Sequence, residues 1–247
     1  MKISNIVENH HQEQRQKRIK EKGNKKEYFY ASDPLVEDLN EAKCIRQLIY
    51  EFSDIEPEPF DDGTLKRFAI GNVLHDWIQN ILIKTKKAKI VEDNTIIYHK
   101  KGFVQLPSEE NSILITEPVI IHGRMDVLLV SDVVVEIKTI SKSGFYYLMK
   151  GPKPGHILQI QIYMHNKKAK KGILFYINKD SGEFKEFEID YDEAYIKKAF
   201  ERFVKAKEII DKALKTNKLP PRPYPKTHWK CNYCNYRAVC DKNTPPL

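Results

Sequence analysis

The residues best equipped for chemistry lie in one apolar stretch, Gly123-Arg124-Met125-Asp126-Val127-Leu128-Leu129-Val130-Ser131-Asp132-Val133-Val134-Val135-Glu136-Ile137-Lys138-Thr139. Two β-branched-rich runs flank Ser131-Asp132, the pattern of a β-hairpin. Asp126, Glu136 and Lys138 stand inside those runs rather than at the turn. Charges there are costly unless they are paired or hold a metal. Alternation along the second run puts Glu136 and Lys138 on one face and Val133, Val135 and Ile137 on the other. A carboxylate from each strand, with an ammonium beside them, can hold a hard divalent cation and polarise a water next to it. The register matters. A two-residue turn at Ser131-Asp132 would set Asp126 opposite Ile137 and send Glu136 to the other face. For both carboxylates to meet one ion, the loop must hold an odd number of residues or the hairpin a bulge.

Other reactive residues are weaker signals taken singly. Gly71 and His75 are four apart in a helical pattern and share a face, as do Gln159 and Tyr163. Alone, the histidine reads as one satisfied by a neighbour, and the second pair as packing. Lys142, Tyr146, Tyr147, Lys150 and Lys153 follow the acidic strand and interleave cations with aromatic rings. That pattern suits a single strand of nucleic acid, although an ordinary exposed loop has the same composition. Cys231-Asn232-Tyr233-Cys234 and Cys240 place three thiols in one short tail, and Cys44 is the only other cysteine. Three ligands with a distant fourth suit zinc or an iron–sulfur cluster, with inert buried thiols as the alternative.

The elements that must position these groups follow from periodicity. Residues 1–30 form a basic polar segment, read as a solvated helix or a DNA-contacting arm. A helix is expected through Leu35, Leu39, Cys44, Leu48 and Phe52, opened by Ser32 or Asp33 before Pro34. Residues 53–63 are a proline-broken loop. A second helix is expected from about Leu65 to Ile83, with Phe68, Val73, Trp77, Ile78, Ile81 and Leu82 on its apolar side. Alternating stretches near 95–105 and 112–121 precede the hairpin, and 141–155 reads as a loop. A helix over about His156–Asn166 follows, then strands over Gly172–Asn178 and Phe184–Ile189 joined by a turn at Lys179-Asp180-Ser181-Gly182. Tyr195, Ala199, Phe203, Ala206, Ile210 and Leu214 mark a long amphipathic helix. The order implies an α/β layer with a central mixed sheet flanked by helices. The core is expected over 31–219, with 220–247 a proline-rich connector and cysteine tail that packs back on the Cys44 helix.

Composition bounds the function. The 247 residues are 41% apolar, enough for a core, and no apolar run reaches the ~18–20 residues of a membrane span. Met1-Lys2-Ile3-Ser4-Asn5 leads straight into a polar basic stretch, so a cytoplasmic protein is expected. There, thiols serve as metal ligands or stay buried rather than forming disulfides. The formal charge of +8 suits a polyanionic partner such as nucleic acid, with a solvated lysine-rich surface as the equal alternative on charge alone. With no Gly-x-x-x-x-Gly-Lys-Ser/Thr phosphate loop, the chain carries no helicase motor.

Together, and in this order, these residues resemble the PD-(D/E)XK nuclease superfamily. The likeness is to the RecB-like branch with the CRISPR-associated "Cas-four" exonucleases and the AddB nuclease domain. Gly71/His75, Gly123/Asp126, Glu136/Lys138, Gln159/Tyr163, Cys44 and the Cys231, Cys234, Cys240 group match its motifs over roughly 30–242. A proline common after the first cysteine is Ile45 here. The resemblance implies a restriction-endonuclease-like core and a metal-dependent DNA exonuclease for single-stranded or frayed ends. His75, Asp126, Glu136 and the Ile137 carbonyl would bind Mg²⁺ or Mn²⁺, and Lys138 would orient the attacking water. Gln159 and Tyr163 would support the site or contact DNA, as would Lys142, Tyr146 and Lys150. The four cysteines would hold a [4Fe-4S] cluster, with structural Zn²⁺ as the alternative, tying the tail to the N-terminal helical part. CRISPR adaptation or helicase partners are implied, and no membrane. The other readings are a non-cleaving nucleic-acid-binding module and a zinc-stapled structural protein.

Overall fold

The computed structural model describes residues 9–10, 13, 26–35, 42–99, 102–105, 112–115 and 119–246; of 93–99, 102–105 and 112–115 only the backbone is described. Strands are β1 (Phe29–Tyr30), β2 (Ala88–His99), β3 (Gly102–Gln105), β4 (Ser112–Ile115), β5 (Val119–Leu129), β6 (Val134–Ile140), β7 (Lys171–Asn178) and β8 (Phe184–Asp190). Helices are α1 (Ile45–Glu51), α2 (Asp62–Lys84), α3 (Lys142–Tyr147), α4 (Pro154–Lys167), α5 (Glu193–Thr216), α6 (Trp229–Asn232) and α7 (Arg237–Asp241). The chain divides into two compact units: Tyr28–Lys43 with Gly71–Glu208, and Cys44–Ile70 with Met1–Glu27 and Ile209–Leu247.

The larger unit is an α/β layer built on a mixed sheet of order β1-β5-β6-β7-β8, with β2 also on β5 and β3–β4 paired apart. β6 and β7 are parallel, and their crossover is α4, as a parallel pair requires. Pro154 opens α4 at a position with no N–H to satisfy, and Lys168 closes it in the left-handed conformation at φ 54°. Val127, Val135, Ile137 and Ile177 form a buried cluster on one sheet face, covered by Leu74, Ile78 and Leu82 of α2. Phe29 meets Phe203 of α5 edge to face, with ring centroids 5.3 Å apart. Among the described residues no helix is long and apolar enough to cross a membrane.

Several local expectations are corrected. Of the helix expected through Leu35 to Phe52, the described residues hold Ile45–Glu51, with Cys44 at its N-cap; residues 36–41 lie outside the described set. Asp33 opens no helix. Its carboxylate accepts the Tyr30 N–H at 2.8 Å and pairs with Lys43 at 2.6 Å, closing a turn. Phe68, Val73, Trp77 and Ile81 are exposed, because α2 is apolar on both sides and it is Leu74, Ile78 and Leu82 that pack on the buried cluster of the sheet. The loop at 141–155 contains α3, capped by the Ser141 hydroxyl, which accepts from the Gly144 N–H. The basic segment 1–30 lies outside the described residues except for 9–10, 13 and 26–30.

The β5–β6 turn answers the register question. Leu129 N–H donates to the Val133 carbonyl at 2.9 Å and Asp132 N–H to the Leu129 carbonyl at 3.0 Å. The loop is therefore Val130-Ser131-Asp132, an odd number, with Asp132 left-handed at φ 59°. Asp tolerates that conformation, glycine adopts it freely and a β-branched side chain does not. Asp132→Val is expected to destabilise the protein by about 1–2 kcal/mol in urea unfolding, while Asp132→Gly stays neutral. The exposed pair with Lys89 contributes too little to reverse that order.

Candidate active site

β5 is bonded to β2 along one whole edge, from Val119 to Leu129. Its other edge is shared: β1 takes Ile121 and His122, and β6 takes Val127 and Leu128. Gly123, Arg124, Met125 and Asp126 are thus left without a strand on that side. A continuous ladder would next join Met125 to Ile137. Instead, the Ile137 N–H donates to Asp126 Oδ2 at 2.7 Å. The Arg124 N–H donates to the Tyr163 hydroxyl from α4. A buried backbone donor left unmet costs about 1–3 kcal/mol, so these two side chains hold the split open.

This geometry explains the spacing Gly123-x-x-Asp126. A Cβ at position 123 would lie 2.7 Å from Tyr163 Cε1, 2.8 Å from its hydroxyl oxygen and 2.9 Å from the Ala31 Cβ. Only glycine admits the ring. Gly71 of α2 is a milder case: a Cβ there would sit 3.1 Å from Thr139 Oγ1 on β6, so the threonine would have to give by a few tenths of an ångström. One turn on, His75 Nδ1 stands 3.6 Å from Asp126 Oδ1. After a further turn, the buried Gln79 donates its amide to the Asp126 carbonyl at 3.2 Å. The sequence reading missed Gln79, although Gly71, His75 and Gln79 repeat every four residues.

Glu136 is 2% exposed. Its Oε1 is 2.8 Å from Lys138 Nζ, which also donates to Gln159 Oε1 at 2.7 Å. Gln159 Nε2 in turn donates to the Tyr163 hydroxyl at 3.1 Å. Glu136 Oε2 is buried and has no hydrogen-bond partner among the described residues. Burial, then the Asp126 charge, pushes the Glu136 carboxyl up to about 8. The Tyr163 phenol is also raised, first by burial and then by Glu136. His156, three residues before Gln159 on α4, was also missed. Its Nδ1 bonds the Tyr176 hydroxyl at 2.8 Å, and Tyr176 is the β7 partner of Lys138. Burial, then Lys138 and Lys153, drives this imidazole down to about 2, so it is neutral.

His75, Asp126, Glu136, Lys138, Gln159 and Tyr163 therefore come together, and Ile137 joins them through its N–H. Lys142, Tyr146, Tyr147 and Lys150 lie on or just after α3 with exposed side chains, the two rings 6.3 Å apart. The cysteines belong to the other unit. Cys44, Cys231, Cys234 and Cys240 are free and half-buried. Burial raises Cys44, with added effect from the charges of Cys240 and Cys231. Cys234 is pushed up to about 11 by burial, then by Cys44, Cys240 and Cys231. The four thiols are thus electrostatic neighbours. Among the described residues no three His, Cys, Asp or Glu side chains are arranged to hold a metal ion.

Residues 92–241 match the PD-(D/E)XK nuclease superfamily, more than half of the chain, and the chain belongs to it. The chain is 35% identical over 127 residues to the CRISPR-associated exonuclease Cas4 of Saccharolobus solfataricus, a match covering 49% of this chain and 52% of that protein. It thus spans about half the length of this curated relative. The fold is shared with the crystal structure of SSO0001, at 22% identity and a TM-score of 0.57 over 97% of this chain and 96% of that one. An alkaline exonuclease (LHK-Exo) from Laribacter hongkongensis aligns at 16% identity and a TM-score of 0.47, over 76% and 90% of the two chains.

The superfamily's divalent metal fits this donor set. The orphaned Glu136 Oε2 lacks a partner that a cation would supply, and carboxylate oxygens with one imidazole suit Mg²⁺ or Mn²⁺. The raised carboxyl gives a pH signature without metal. The folded state keeps the Glu136 proton up to about 8, whereas the ordinary value is 4.5. Between those values the folded chain binds more protons, so stability falls as pH rises. Urea unfolding in chelator is expected to show that fall between about pH 5 and about pH 8. Glu136→Gln should flatten it, and added Mn²⁺ should restore stability at the alkaline end.

Proposed function

We propose that this chain is a metal-dependent DNA exonuclease that hydrolyses phosphodiester bonds at single-stranded or frayed ends. The observation that carries the reading is the buried Asp126–Glu136 pair, with Glu136 Oε2 unpartnered and Lys138 beside it. His75, Asp126, Glu136 and the Ile137 carbonyl would hold Mg²⁺ or Mn²⁺. When bound, the ion supplies Lewis-acid polarisation and a hydroxide-like nucleophile near neutral pH.

The chain's own residues do the rest. Lys138, fixed between Glu136 Oε1 and Gln159 Oε1, presents a directed cation that orients the attacking water and steadies charge on the phosphate. Tyr163 fixes Gln159, so α4 sets the position of the ammonium through two hydrogen bonds. Tyr146 and Tyr147 offer stacking surfaces to unpaired bases, with Lys142 and Lys150 for the backbone phosphates. A formal charge of +8 supports a polyanionic substrate. The intact carboxylates and lysine weigh against a module that only binds DNA. The four cysteines would hold a [4Fe-4S] cluster, or Zn²⁺ in its place, in a structural role; their shared neighbourhood and sulfur chemistry support this. A cytoplasmic place beside CRISPR-adaptation or helicase partners that expose DNA ends is consistent with the relative's being CRISPR-associated.

The test is cleavage of labelled single-stranded DNA with Mn²⁺ or Mg²⁺. Asp126→Ala and Glu136→Ala are expected to abolish it, and Lys138→Ala to slow it by ~10²–10³, while DNA binding persists in all three. Full metal-dependent cleavage in either carboxylate variant would place the active site elsewhere.

A further inference from the structure

Arg46 is only 6% exposed. Its Nε donates to the Pro220 carbonyl at 2.7 Å and its Nη1 to Asn243 Oδ1 at 2.8 Å. The same Nη1 stands 4.0 Å from Cys240 Sγ. Among the described residues no carboxylate pairs with it, although Asp241 follows Cys240 directly. Asp241 instead pairs with Arg222 at 3.0 Å and Arg237 at 3.6 Å. Arg222 also donates to the Cys240 carbonyl. The carboxylate at this end of α7 is thus given to Arg222, Arg237 and Lys226, and Arg46 faces sulfur.

A guanidinium does not shed its proton in a protein, and a buried cation without an anion is strongly unfavourable. Its neighbours do not supply one as they stand. Its contacts are a backbone carbonyl, an amide oxygen and the Cys240 sulfur, with no carboxylate among them. Four thiolates around a core of charge +2, zinc or an oxidised [4Fe-4S], leave a net charge of about −2. We propose that Arg46 is the counter-ion of the cysteine centre: a positioning residue whose buried charge stabilises the thiolates of Cys240 and its companions. This rests on the four-cysteine centre proposed above, and it assigns Arg46 a role that does not depend on whether the metal is zinc or iron.

The experiment uses the full chain, reconstituted anaerobically. Iron and zinc per chain, the rate of metal loss to a chelator, and the melting temperature before and after stripping are compared for wild type, Arg46→Met and Arg46→Lys. Arg46→Met is expected to weaken metal retention about 10–100-fold, as loss of an outer partner of a metal ligand does. Arg46→Lys, which keeps the charge, is expected to retain most of it. The melting-temperature cost of Arg46→Met should be large in the loaded protein and vanish or reverse in the stripped one, where the charge has no anion. An equal cost in both states, or wild-type retention in Arg46→Met, would reduce Arg46 to its hydrogen bonds with Pro220 and Asn243 and overturn the inference. If Arg46→Met does not fold, the chelator rate of Arg46→Lys against Cys44→Ser decides. A rate near wild type supports the charge, and one as fast as Cys44→Ser overturns it. Wild-type protein that takes up neither metal would instead overturn the cysteine centre, a separate and recognisable result.

Discussion

The larger unit depends on the parting of β5 and β6 beyond Val127 and Val135. Continued pairing in the same register would bring the two carboxylates together with no space between the strands. The register puts both on one side of the hairpin, and the split opens the sheet beside them. Three features of the sequence sustain it. The odd loop Val130-Ser131-Asp132 sets the register, Asp126 takes the Ile137 N–H, and Gly123 lets Tyr163 reach the Arg124 N–H. The backbone is satisfied by side chains that are themselves part of the site. Loss of one of them therefore removes both a structural hydrogen bond and a chemical group.

Within that opening, electrostatics rather than packing decides the behaviour. Glu136 is more deeply buried than Asp126, and it shares the Lys138 ammonium with Gln159. One ammonium does not neutralise two carboxylates. The remaining negative charge is met by a proton on Glu136, and in the proposed reading a divalent ion would take its place. A site that holds a proton and one that would hold metal are, on that proposal, two states of one charge balance.

Much of this was legible in the chain, because strand alternation has a period of two and charges inside an apolar hairpin are conspicuous. The faces of Glu136, Lys138, Val135 and Ile137 and the need for either an odd loop or a bulge followed from that alone. Gln79 and His156 escaped because a polar residue on a helix gives no sign of being buried until the facing strand is known. Only their spacing to His75 and Gln159 carried a signal. The core stripe of α2 was assigned too broadly for a related reason: apolar residues on both sides make the moment ambiguous. The turn at Asp33 was read as a helix cap because aspartate before proline serves both purposes. In the smaller unit, cysteine spacing gave the tail, but the buried Arg46 was invisible, since arginine is ordinarily a surface residue.

The central claim is that Asp126 and Glu136 converge on one divalent ion in the opening between β5 and β6. Anomalous diffraction from crystals of the protein grown with Mn²⁺ tests it directly. The account predicts a manganese peak within bonding distance of a carboxylate oxygen of Asp126 and of Oε2 of Glu136, beside Lys138. A well-ordered site with no manganese between those two carboxylates, or manganese bound only elsewhere on the chain, would contradict it.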